Sequence, residues 1–240
     1  MKIRHVIWVS LFLALCALPL GAAPQEAQAG PVDQRLQAAA NVFQEIMSTP
    51  ESIPRDLLSR AQCVAIVPSL KKGAFVVGAE YGKGFITCRN ANASGWSAPA
   101  AITIGGGSFG FQIGGQETDV VMLLMNKGAE HRLLSSKFTL GADASVAAGP
   151  VGRTAQAQTG EYLSSEILSW SRSRGAFAGV SLKGASVSPD KEADALLYGR
   201  SLTNTQIVEG NLPVPQAAQP LNSELDRYAK PQSANGTNVK

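Results

Sequence analysis

The sequence predicts an α+β fold: a strongly bent antiparallel β-sheet, barrel-like in its curl, covered by N- and C-terminal helices. Three observations point there. Residues 61–89, AQCVAIVPSLKKGAFVVGAEYGKGFITCR, hold three short apolar runs, each ended by Pro, Gly or Lys, which reads as a small antiparallel meander. Strand-type patterning continues to about residue 182. Apolar positions recur at spacings of three and four before and after it, the period of a helix with one buried face.

Taken in order, residues 1–29 read as an export signal. Lys2, Arg4 and His5 form a basic start, residues 6–20 are almost wholly apolar, and Ala27-Gln28-Ala29 offers small residues where a signal peptidase cuts. The apolar run is short for a membrane span. A retained anchor, cleavage after Ala23 and lipidation at Cys16 are the alternatives. Removing Lys2, Arg4 and Glu26 with this segment takes the formal charge from +3 to +2. No block of Lys and Arg forms the stripe that nucleic acid requires, so nucleic acid is not an expected partner.

The remainder divides into one domain over residues 30–211 and a Pro/Ala-rich linker, short helix and unstructured tail over residues 212–240. Residues 32–47 predict an amphipathic helix with Asp33 in its first turn, where a negative charge suits the dipole. A second short helix starts near Pro54. Strands are expected at residues 64–67, 74–77 and 84–87, then at 101–104. Residues 119–125, DVVMLLM, are apolar on both faces and predict a central strand. Residues 138–146 alternate as one strand, and residues 176–187 form a strand pair or one strand bent at Gly184. Ser188 caps a helix that turns Leu196, Leu197 and Tyr198 inward and stops at Gly199.

Several chemical signals dissolve on inspection. Gly105–Gly110 matches G-x-G-x-x-G, but the sequence beyond it keeps a period of two, so no helix opens there and a nucleotide site is not expected. His131 is the only histidine after residue 29 and lies in a polar stretch. With two cysteines it falls short of a four-ligand zinc set. Asp119 and Asp143 sit in apolar strands, as rim acids or as acceptors for turn amides. No catalytic residue, metal or cofactor is expected. Cys63 and Cys88 are a disulfide candidate, with two buried thiols as the alternative. Lys71, Lys72, Lys83, Arg89, Arg172 and Arg174 fall at predicted turns or strand ends, where clustered cations would meet anionic headgroups.

Four stretches together resemble the SYLF domain family: residues 61–89, GWSAPAAITIGGGSFGFQIGGQETDVVML, LGADASVAAGPVGR and SWSRSRGAFAGVSLKGASV. The resemblance spans residues 38–207, and the exported form with two cysteines is similar to bacterial envelope members. It implies non-catalytic binding of anionic phospholipids, of the phosphoinositide type in relatives, by a protein exported to the periplasm and peripheral to a membrane. By the same resemblance Leu36, Phe43, Ile46 and Met47 lie on the helix that touches lipid. An envelope structural or protein-interaction module is the competing expectation, with an envelope protein as partner. Actin, bound by some fungal relatives, is not expected as a partner.

Overall fold

The computed structural model describes residues 30–90, 95–135, 137–151, 164–173, 176–179 and 182–229. The expected signal, Arg174 and the end of the tail lie outside these. Helix α1 (Pro31–Ser48) opens with the Asp33 carboxylate accepting the Gly30 N–H at 3.2 Å. Helix α2 (Arg55–Arg60) follows. The next two strands are long: β1 (Cys63–Cys88) and β2 (Ala100–Leu124) pair antiparallel along nearly their whole length. Here the structure corrects the expected meander. Its three apolar runs belong to one strand, and its partners lie in β2.

This two-stranded ribbon doubles back on itself. The ends of β1 meet, with the Cα atoms of Cys63 and Cys88 3.9 Å apart and their sulfurs bonded. The disulfide therefore ties the two ends of a single strand. Glycine permits the return: a Cβ on Gly84 would stand 2.0 Å from the carbonyl oxygen of Ile66. Only a residue without a side chain lets the two halves of the strand approach so closely. Register shifts at Val67/Leu70 and Ala74/Val76 add the local twist that such a bend needs.

The rest of the sheet grows from β2. Its final residues pair with β1 on one side and with β5 (Ile167–Ser173) on the other, which makes DVVMLL a central strand as expected. Helix α3 (Lys127–Ser135), unforeseen in the sequence, leads to β3 (Phe138–Thr139) and β4 (Val146–Ala148). A turn over residues 141–143 separates these two, so the alternating run 138–146 is not one strand. Strand β6 (Ala176–Gly179) pairs with β5, and β7 (Ser186–Pro189) pairs with β2 and β3. Seven strands thus form one curled half-barrel among the described residues.

Helices cover both faces. On one, α1, α2 and α6 (Gln219–Ala229) share a core with Val64, Ile66, Val121, Leu123 and Trp170. On the other, α3 and α5 (Asn204–Glu209) pack over Val67, Ile102, Met122 and Leu124. Helix α4 (Lys191–Tyr198) sits at the β2 edge. Asp190, not Ser188, caps it, because β7 runs on through Pro189. Consequently Ala193 and Asp194 turn inward and Leu196 is 69% exposed, whereas Leu197 and Tyr198 are half-buried. Gly199 ends the helix in the left-handed conformation, φ 68°. The expected linker includes a 3-10 turn (Gln216–Ala218) and the start of α6, whose Tyr228 meets Phe43 edge-on at 6.2 Å. Among the described residues no helix is long and apolar enough to cross a membrane.

Candidate functional site

Four of the five described basic residues expected to meet headgroups bind acids or carbonyls of this chain. Arg89 is structural. Its guanidinium donates to the carbonyls of Ala61 (2.9 Å), Leu58 (3.0 Å) and Ala229 (3.3 Å), and lies 4.7 Å from the Trp96 ring centre. It thereby satisfies carbonyls at the ends of α2 and α6 that have no helical partner. Burial pushes its pKa down and Asp226 works against that shift. Arg172 donates to Asp119 at 2.7 and 2.9 Å and pairs with Glu45 of α1, linking β5, β2 and α1.

Lys83 pairs with Asp190 at 2.8 Å, and the hydrogen bond it donates to that carboxylate holds the lysine pKa above its usual value despite burial. Lys72 pairs with Glu80 at 3.1 Å across the doubled ribbon. Lys71 is exposed. It precedes Lys72 as Tyr81 follows Glu80, and alternation puts both on the outer face of that end. Tyr81 is 53% exposed, one of two large exposed apolar side chains among the described residues.

The four lipid-contact candidates of α1 point inward. Leu36, Phe43 and Ile46 are fully buried and Met47 nearly so, all within the core shared with α6. The outer side of α1 instead lines a groove of about 830 Å³, with Asp33, Gln37 and Asn41 on one wall and Leu197, Pro215 and Ala217 on the other. Sequence reasoning missed this groove, because the segment opposite α1 reads as linker. The proline and alanine content that suggests a loose chain also supplies the small, stiff wall.

The isolated polar signals settle into structural positions. Asp119 also accepts the Ser69 N–H at 3.0 Å, and Asp143 accepts that of Thr139 at 2.6 Å. Gly105–Gly107 pair in extended register with Ala79–Tyr81, so the glycine run is strand. His131 is exposed on α3, and the Ser135 hydroxyl donates to its main-chain carbonyl. A buried set surrounds Ala101. The carboxylate of Asp194 accepts its N–H at 2.7 Å, and Asn204 donates to its carbonyl at 3.2 Å. Burial, and then the neighbouring Asp190 charge, push the Asp194 carboxyl up to about 7 against the pull of the Ala101 N–H.

The family described as "Ysc84: Las17-binding protein actin regulator" matches residues 105–228, just over half of the chain. The chain belongs to the Ysc84/SYLF family. It is 36% identical over 188 residues to "Protein YSC84" of Saccharomyces cerevisiae, covering 77% of this chain and 40% of that one. Over 188 residues it is 34% identical to "LAS seventeen-binding protein 3" of the same yeast, again 77% of this chain and 40% of the relative. Over 201 residues it is 33% identical to human "SH3 domain-containing YSC84-like protein 1", covering 82% and 58%. The chain thus spans about half the length of the relatives it matches, or less. Their names correct one expectation. The sequence reading does not expect actin as a partner, yet the family description and the Las17-binding relatives point to actin-regulatory protein partners.

Proposed function

We propose that this protein is a non-catalytic binding module that meets an anionic lipid surface with the doubled-back end of the β1–β2 ribbon. The observation that carries this reading is the exposure of Lys71 and Tyr81 at that end, with half-buried Lys72 beside them. A tyrosine suits the boundary between headgroups and acyl chains. Each nearby lysine contributes roughly 1 kcal/mol of attraction to an anionic bilayer, and salt weakens it. The apolar stretch at residues 6–20 and the Cys63–Cys88 bridge support an exported, peripheral protein, in line with the redox state that preserves disulfides.

Co-sedimentation with vesicles tests the reading. Phosphatidylglycerol-rich vesicles bind the protein and neutral ones do not. Lys71→Glu removes one attraction and adds one repulsion, about 2 kcal/mol or roughly thirtyfold. Equal binding to both vesicle types rejects it. A second reading has its own support: the α1 groove has room for a protein segment, and the relatives' names record protein partners. Crosslinking through Asn41→Cys to one stoichiometric protein, by a chain that ignores vesicles, favours that reading.

A further inference from the structure

Helix α3 carries an acid on the side that faces the sheet. Ala129, Leu133 and Leu134 fill most of that face, but Glu130 lies among them at 3% exposure. It stands beside Cys63 and Cys88, both fully buried. The two sulfurs and a carboxylate oxygen of Glu130 lie within 4.8 Å of one another. A carboxylate buried against a neutral disulfide carries a desolvation cost that a leucine at this position would avoid. Its counter-ion is partial. Lys127, 63% exposed, donates to Oε1 at 3.1 Å and stands 2.8 Å from Oε2, which accepts no hydrogen bond.

We propose that in the reduced chain Cys63, Cys88 and Glu130 bind a borderline-soft divalent cation of the zinc class. Two thiolates and a carboxylate are ligands that such a cation takes, and three protein ligands leave a fourth position for water. The three negative ligands exceed the cation by one charge, which Lys127 is placed to offset.

The disulfide and the metal exclude one another. A thiol reductant supplies two electrons and two protons: the Sγ–Sγ bond breaks, two thiols form, and the reductant leaves as its disulfide. Binding the cation then releases both thiol protons to solvent. The site survives reduction because other bonds hold the ends of β1 together. Gln62 N–H donates to Leu124 and Arg89 N–H to Gln62, each at 2.8 Å, besides the Arg89 side-chain bonds to Ala61 and Leu58.

The test uses the full chain, reduced with dithiothreitol, freed of it by anaerobic gel filtration and titrated with Co²⁺. Reduced protein should take up one ion with thiolate-to-cobalt absorbance in the near ultraviolet, which Zn²⁺ then bleaches. Oxidised protein and the Cys63→Ser/Cys88→Ser double variant should take up none. Glu130→Gln, checked for folding by circular dichroism, should bind at least about tenfold more weakly, since even outer-shell losses reach that size. A reduced chain that lacks the absorbance, folded or not, overturns the proposal. So does a Glu130→Gln variant of unchanged affinity, which would leave the acid a purely structural role.

Discussion

Asp194 offers the sharpest test of the packing around β2. Its side chain is fully buried, its Oδ1 accepts the Ala101 N–H at 2.7 Å, and its Oδ2 has no hydrogen-bond partner. Its carboxyl titrates at about 7 in the folded protein, against about 3.9 in an unfolded chain. Between those values the folded state holds one proton more than the unfolded state. Stability is therefore fully present below about pH 4, falls as pH rises, and levels off once pH passes the folded value. Three pH units at about 1.4 kcal/mol each give a loss of about 4 kcal/mol. Asp194→Asn keeps an acceptor for Ala101 and carries no charge. Urea denaturation from pH 4.5 to pH 8.5 should show the parent losing stability and the variant holding it, so that the variant is the more stable above pH 7. A parent curve that rises with pH, or a variant less stable than the parent at pH 8, would refute the reasoning.

Other outcomes follow from the same geometry. Gly84→Ala places a carbon 2.0 Å from the Ile66 carbonyl oxygen and should cost about 3 kcal/mol, read as a lower urea midpoint. Arg89→Ala strips hydrogen bonds from Leu58, Ala61 and Ala229, and should cost about 2–3 kcal/mol while leaving vesicle affinity unchanged. Arg89→Lys should recover only part of that stability, because one ammonium cannot serve three carbonyls in a fixed fork. Phe43→Ala should lose about 3–5 kcal/mol of stability as a core deletion, and its thermal melt will separate that effect from any change in lipid binding.

The sequence makes the elements legible wherever one residue pattern suffices. The three- and four-residue spacing of Leu36, Ala39, Ala40, Phe43, Ile46 and Met47 fixes a helix with one buried face, and α1 has that face. The unbroken apolar run Val120–Leu124 announces a strand buried on both sides, and it lies between β1 and β5. What stays hidden is pairing at long range. The apolar runs of β1 look like separate strands because Pro68 and the glycines interrupt them, yet the chain bends there without ending the ladder. Helix α3 is masked by its short length and by Glu130, a buried charge that makes its inner face look polar.

Charge explains why most of the described cations of the expected site are engaged within the chain. A lysine or arginine at a strand end looks free in one dimension, since its counter-ion lies far along the chain. Arg172 is 53 residues from Asp119, and Lys83 meets an acid in the loop before α4. Such pairs form where the doubled ribbon brings distant acids to the sheet margin, so these cations serve to lock elements together. Lys71 differs because its neighbour Lys72 takes the inward position and its acid, Glu80. Strand alternation then leaves Lys71 on the outer face. Moving that charge two residues along the ribbon, as Lys71→Ser/Lys72→Ser/Ser69→Lys would do, keeps one lysine on the ribbon but removes the Lys72–Glu80 pair. If position sets lipid affinity, vesicle binding should change more than the net loss of one charge explains, about fivefold. A change no larger than that would mean that total charge governs binding and that the ribbon's geometry has no part in it.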